Sequence, residues 1–223
     1  KTVNKVFPGL IPTFDVSLAQ KFEEKRIAGR ESVAIEPKLD GIRCFAIVEN
    51  GDSRLFARSG KLISNFDSTI GVELAKLGDG CYDGELMGED FVSLMRQAYR
   101  KDDLDTAGTF LALFDYLPLE EWKSGKTVMS CSDRYEKLLD SLCEEGIDLE
   151  VIQPVERDIV DANYGNIKEL HDEYVAEGYE GAMIKYLDAP YRFGRGYEVM
   201  KLKAFHDVDL VIEALEEGTG KHL

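Results

Sequence analysis

The chain has 223 residues, 44% of them hydrophobic and 31% charged, enough for a proper core in one large domain or two small ones. No apolar run approaches the length of a membrane span and no basic-then-apolar leader opens the chain, so we expect neither a membrane protein nor a secreted one. The net charge of −16 speaks against a partner held by bulk electrostatics, nucleic acid included, unless the cations are gathered locally.

They are gathered. Lys38, Arg43, Arg54, Arg58 and Lys61 form one group, and Lys185, Arg192, Arg195, Lys201 and Lys203 another, while Glu144, Glu145, Asp148 and Glu150 cluster elsewhere. The expectation is a positive groove on an acidic body. Four cysteines, Cys44, Cys81, Cys131 and Cys143, lack the spacing of a zinc site or a disulfide framework. Reduced thiols and a cytoplasmic location are expected. The chain starts on Lys1 rather than Met, so it is expected to be a trimmed fragment.

In chain order, "DVSLAQKFEEKRIAG" (15–29) predicts a helix, with Asp15 as a possible cap and Gly29 as its stop. "SVAIEPK" and "GIRCFAIVE" predict two strands with a break between them, "NGDS" a hairpin turn, and "RLFARSG" the return strand. A helix is expected over 67–77, a short strand at "GCYDGELM", then a helix to about Arg100. "GTFLALFDYLPL" predicts a buried strand, 132–145 a helix, and "DLEVIQPVE" a strand. "NIKELHDEYVAEG" is amphipathic and stops at Gly178, and "GAMIKY", "YEVMKLK" and "VDLVIEAL" predict strands. Strands in mostly antiparallel order, interrupted by helices without strict alternation, point to an α+β fold.

Common motifs fail on inspection. "SGKT" (124–127) lacks the glycine a phosphate loop needs five positions before Gly125, where Glu120 stands. "GTGKH" carries His222 in place of the required Ser or Thr. His171 is expected on a solvated helix face.

Lys38 is a charge at the end of an apolar strand. A lysine is a nucleophile only when neutral, about one molecule in a few thousand at pH 7 for an ordinary side chain, and burial or neighbouring cations raise that fraction. Asp40 could orient its amine, Gly41 permits a tight turn, and Arg43 could bind a phosphate or ribose oxygen. "YDGEL" adds Glu85, "EGAMIK" adds Glu180, and "VMKLKAF" puts Lys201 and Lys203 two apart, on one side of a strand. A nucleophilic lysine, two carboxylates able to hold a divalent metal and a cation pair for phosphate make up what nucleotidyl transfer requires.

The ordered set KLDGIR, ARSGK, YDGEL, FDYLP, EGAMIK, KLK resembles the covalent nucleotidyltransferases, most closely the adenylation domain of ATP-dependent DNA ligases of the small phage and viral type. It runs from residue 38 to residue 203. The resemblance implies an α+β fold of antiparallel sheets flanked by helices, an adenylation domain over 1–205, and in 206–223 the first strand of a following OB-type domain. It implies ATP as substrate, AMP carried on Lys38, Mg²⁺, nicked duplex DNA as partner and a monomer.

Residue by residue, Lys38 matches the nucleophile, Arg43 and Arg58 two arginines of the site, and Glu85 a glutamate that contacts ribose and supports the metal. Phe114 and Met183 match the two faces of an adenine slot, Glu180 the metal carboxylate, and Lys185, Lys201 and Lys203 the lysines around the phosphates. Glu36 matches the side chain that reads the adenine amino group. Pro37 departs from the pattern, because it has no N–H to offer the base. Capping guanylyltransferases share KxDGxR but usually carry Asp at the position of Glu180 and an aromatic inside the final KxK. NAD-dependent ligases need an upstream domain for which residues 1–30 are too short. An RNA ligase or an mRNA-capping guanylyltransferase of the same superfamily is the alternative.

Overall fold

In this computed structural model the structure describes residues 15–101 and 105–204. The predicted strand at "VDLVIEAL" and the stretch 206–223 lie outside them.

Two five-stranded sheets carry the fold. The first holds β1 (Ser17–Lys21), β2 (Ser32–Pro37), β8 (Asp158–Asp161), β9 (Gly181–Lys185) and β10 (Gly194–Lys203), in the order β1-β10-β9-β2-β8. The second holds β3 (Ile42–Glu49), β4 (Asp52–Ala57), β5 (Gly80–Met87), β6 (Phe110–Leu117) and β7 (Ile152–Pro154), in the order β4-β3-β5-β6-β7. Only β1–β10 and β6–β7 pair in parallel; the other neighbours are antiparallel, as an α+β chain requires.

The helices are α1 (Val72–Leu74), α2 (Phe91–Tyr99), α3 (Leu119–Ser124), α4 (Cys131–Leu142) and α5 (Tyr164–Ala176). Asp90, Ser130 and Asn163 cap α2, α4 and α5, each side chain accepting from backbone N–H groups of the first turn. The β3–β4 hairpin turns on Asn50 and Gly51, at φ 55° and 74°, the paired positive values of a type I′ turn.

Two predicted elements come out differently. Residues 15–29 form β1 and a 3₁₀ turn over Glu24–Arg26, not a helix. Pairing with β10 satisfies this backbone, and tertiary pairing overrides a weak helical period. The helix expected at 67–77 is reduced to a π turn over Asp67–Gly71 and the three residues of α1. β8 and α3 have no counterpart in the predicted elements. His171 is half-buried rather than solvated, its side chain 13% exposed and its Nδ1 3.0 Å from Asp172.

Each sheet buries one face under helices. Cys44, Ala46, Val48, Leu55, Tyr82, Leu86, Leu111 and Leu113 pack with Phe66, Leu94 and Leu138 outside the second sheet. Ile35, Ile184 and Met200 pack with Ile167 and Tyr174 of α5 outside the first. On the opposite face of the second sheet, Phe45, Ile47, Cys81 and Leu117 meet Val16 and Tyr191 in a smaller apolar cluster. Further along that face the residues turn polar, and a cleft opens.

Candidate active site

The cleft encloses about 220 Å³ and is lined from both sheets. Strand alternation supplies its walls. On β3 the residues Arg43, Phe45 and Ile47 share the inner face, while Cys44, Ala46 and Val48 face the outer core. In the first sheet, register places Glu36, Met183 and Lys201 in one row across β2, β9 and β10, so their side chains share a face. Lys185 lies two residues along β9 on that face, and Lys203 two residues along β10.

A bulge shapes the other wall. Asp83 pairs with Asp115, but Gly84 pairs with Leu113, so Phe114 is the extra residue on β6. Because of it, two consecutive side chains, Phe114 and Asp115, both line the cleft. An unbroken strand would have sent one of them into the core.

The segment Lys38–Gly41 carries the chain from one sheet to the other, between β2 and β3. The Lys38 backbone is fixed at both ends: its N–H donates to Gly181 O at 2.8 Å and its carbonyl accepts from Glu180 N–H at 3.1 Å. Pro37 costs nothing here. Lys38 and, by alternation, Glu36 direct their N–H groups toward β9, so the missing donor of Pro37 faces the side of β8, whose pairing ends at Ile35.

Gly41 is required for a reason other than a tight turn. A Cβ there would lie 2.1 Å from the Leu86 carbonyl oxygen and 2.9 Å from Glu85 Cγ, so only glycine lets the chain enter β3 against β5.

The Lys38 amine donates to Glu180 Oε2 and, at 3.3 Å, to its neighbour's carbonyl at Leu39. Glu180 Oε1 accepts from Lys203 at 3.2 Å, so one carboxylate bridges two lysines. Burial pushes the Glu180 carboxyl up, but the bonds from Lys38 and Lys203 outweigh it and hold it below its usual range. Asp40 is exposed and takes no part; the amine's partner is Glu180.

The Lys201 side chain lines the cleft and, among the described residues, has neither a hydrogen bond nor an ion pair. Its pKa is lowered by burial and by the nearby charges of Lys203, Lys38 and Arg195. Arg58, exposed, lines the mouth, also unpaired among the described residues.

Arg43 forms a two-pronged pair with Asp83, Nε and Nη2 each 2.5 Å from a carboxylate oxygen, and its guanidinium lies 4.6 Å from the Phe114 ring centre. The Tyr191 hydroxyl donates to Asp83 at 2.7 Å and accepts from Ser17 N–H, which fixes the acid. Glu85 is paired in register with Arg43. Burial raises its pKa to about 7, against the pull of Arg43 and Lys38.

At the inner end, Glu36 is 2% exposed. Lys185 approaches its Oε2 to 2.7 Å, and Arg157 its Oε1 to 2.6 Å. Lys185 also donates to the Phe114 carbonyl at 3.0 Å, which puts this lysine, 3% exposed, between Glu36 and Phe114. Below them Asp115 pairs with Arg134 through two bonds of 2.7 and 3.0 Å.

The residues matched to site roles from sequence gather at this one cleft: Glu36, Lys38, Arg43, Arg58, Glu85, Phe114, Met183, Lys185 and Lys201 line it, Glu180 is bonded to Lys38 at its rim, and Lys203 is bonded to Glu180. Sequence reasoning missed Asp83, Asp115, Arg134, Arg157 and Tyr191. Of these Asp83 and Asp115 carried a signal, as acids inside "YDGEL" and "FDYLP". Among the described residues no three acidic, histidine or cysteine side chains gather as a ready-made metal cage.

Known proteins resemble this chain in fold and in sequence. A structure described as Pmar-Lig_PreS3 superposes with a TM-score of 0.82 at 32% identity, over 91% of this chain and 50% of that one. The bacteriophage T7 ATP-dependent DNA ligase in complex with ATP gives a TM-score of 0.70 at 23% identity, over 85% of this chain and 68% of that one, a likeness of fold. In sequence, a probable DNA ligase of Anaeromyxobacter sp. (strain K) is 30% identical over 89% of this chain and 39% of its own length. The DNA ligase of Enterobacteria phage T4 is 28% identical over 94% of this chain and 52% of its own. The chain thus spans about two-fifths to one-half of these relatives. The family described as ATP dependent DNA ligase domain matches residues 16–203, nearly every residue that builds the two sheets and the cleft, and the chain belongs to that family.

Proposed function

We propose that this chain is the adenylation domain of an ATP-dependent DNA ligase that seals nicks in duplex DNA through a lysyl-AMP intermediate on Lys38. The observation that carries the reading is the Lys38 amine, hydrogen-bonded to a carboxylate at the rim of a cleft whose inner end offers Glu36, Phe114 and Met183. An aromatic ring and a thioether form a slot for a flat base, and Glu36 reads its exocyclic amino group.

In the first step Lys38 Nζ forms a bond to the α-phosphorus of ATP. The bond from that phosphorus to the bridging oxygen breaks, and pyrophosphate leaves with the electron pair. Glu180, already bonded to the amine, takes the proton. Lys201 and Lys203 bind phosphate oxygens where charge develops. Arg43, held by Asp83, and Glu85 face the ribose, and Arg58 binds phosphate at the mouth. AMP then passes to the 5′-phosphate of the nick, and the 3′-hydroxyl displaces it as the strand is joined.

Mg²⁺ is the expected ion, and it supplies neutralisation of phosphate charge. Glu85 and Glu180, both within electrostatic reach of Lys38, are the carboxylates that would hold it. Two carboxylates without a third ligand suit a hard ion that takes most of its shell from phosphates and water. Four unpaired cysteines support a reducing, cytoplasmic setting, and no described helix is long and apolar enough to cross a membrane. We take the working unit as a monomer.

The test is direct. With ATP labelled at the α-phosphate, label should be retained on the wild-type protein and lost in Lys38→Ala. Label acquired from GTP alone would overturn the reading in favour of a capping guanylyltransferase.

A further inference from the structure

Arg157, in the turn between β7 and β8, belongs to none of the motifs described above. Its side chain is 2% exposed, and it makes four kinds of contact. Nε donates to Glu36 Oε1 at 2.8 Å, and Nη2 lies 2.6 Å from the same oxygen. Nη2 also donates to the Phe114 carbonyl at 3.2 Å, and Nη1 to the Cys131 carbonyl at 3.3 Å. Its guanidinium lies 3.7 Å from the centre of the Tyr135 ring, which fixes its plane. One side chain therefore ties β2 of the first sheet to β6 of the second, at the inner end of the cleft.

The contacts on Glu36 are lopsided. Oε1 receives Arg157 twice and Lys185 at 3.0 Å, which fills its acceptor capacity. Oε2 has the Lys185 ammonium at 2.7 Å and no other donor among the described residues. A carboxylate oxygen accepts two hydrogen bonds, so Oε2 keeps one acceptor site open. Glu36 lines the cleft, with Phe114 and Met183 beside it.

We propose that Arg157 is a positioning residue for base selection: by saturating Oε1 and fixing the carboxylate plane, it leaves Oε2 as the single open acceptor for the exocyclic amino group of the base. The inference rests on the reading of this cleft as an adenine-nucleotide site. A purine bearing an amino group finds an acceptor there, and one bearing a carbonyl at that position meets a lone pair. Through Phe114 the same guanidinium also sets the stacking ring relative to the carboxylate. Without it the carboxylate is free to turn, and its preference for a donor weakens.

The experiment compares equilibrium binding of ATP with that of purine riboside triphosphate, which lacks the amino group, by calorimetry on the 223-residue chain. Label transfer to Lys38 is measured in parallel. Wild type should prefer ATP by about tenfold, the value of one hydrogen bond to a charged acceptor. In Arg157→Gln the preference should fall to about threefold or less, through weaker ATP binding with little change for the analogue. Arg157→Lys should recover part of it. A purely structural role would weaken both ligands alike and leave the ratio near tenfold, which overturns the proposal. If Arg157→Gln does not fold, Arg157→Lys alone decides: an undiminished ratio overturns the proposal, and an intermediate one supports it. If wild type takes no label from ATP at Lys38, the adenine-site reading falls and the proposal falls with it. If wild type is labelled while the ratio is unchanged in both variants, only the role of Arg157 falls.

Discussion

Glu85 shows what burial does to one carboxyl and what that implies for pH. Its folded pKa, about 7, stands above the ordinary 4.5 because burial penalises the charged form more than Arg43 and Lys38 favour it. The folded state therefore holds a proton that the unfolded state has lost between those two values, and stability declines as pH rises through that window. Glu85→Gln removes the penalty. Its melting temperature should exceed that of wild type by a few degrees at pH 8, with the gap closing near pH 4, since a kcal/mol moves a domain of this size by about 2–4 °C. A gap that is the same at both pH values would refute the shift. Lys38 and Glu85 were legible in sequence because each is a charge set in an apolar strand. Arg157 and Tyr191 were not, because they act on Glu36 and Asp83 across 121 and 108 residues of chain, and Arg134 was not, because its partner Asp115, 19 residues away, lies on a different element.

At the scale of elements, the crossing from β2 to β3 decides where Lys38 stands. Gly41 admits no side chain, since a Cβ would meet the backbone oxygen of Leu86. Gly41→Ala should cost about 1–3 kcal/mol, as overpacking usually does, because one strand must move away from the other. Urea denaturation should show that loss, and label transfer to Lys38 should fall further than the unfolded fraction explains. A variant as stable and as reactive as wild type would show that the contact relaxes freely. The two strands and the break between them were readable from "SVAIEPK" and "GIRCFAIVE", but not that they join different sheets, because strand order is a property of long-range pairing. The same limit explains β1. Five residues paired in parallel with the far end of the chain read locally as a helix, and β8, whose four residues begin and end on Asp, read as loop. The bulge at Phe114 leaves no mark in composition, though it brings two consecutive side chains into the cleft.

Over the whole molecule the charge is −16, yet the cleft is lined by six cations, Lys38, Arg43, Arg58, Lys185, Arg195 and Lys201, against four carboxylates, Glu36, Asp83, Glu85 and Asp115. The expected positive groove is thus present but modest, since the carboxylates Glu36 and Asp83 are committed to Lys185, Arg157 and Arg43. Arg58 and Lys201 are the lining cations without a partner among the described residues, with Lys203 close behind at the rim. On the proposed function, such a distribution predicts how a nicked duplex binds. Each phosphate contacted contributes about −0.9 to the slope of log affinity against log salt. Two to four available cations predict a slope of about −2 to −4, and Arg58→Ala should make it shallower by about one. Titrations of a labelled nicked duplex at several salt concentrations measure both values. A slope as steep as about −8 would demand a broad basic surface that an acidic body with one cationic cleft does not offer, and an unchanged slope in Arg58→Ala would place the duplex away from the mouth of the cleft.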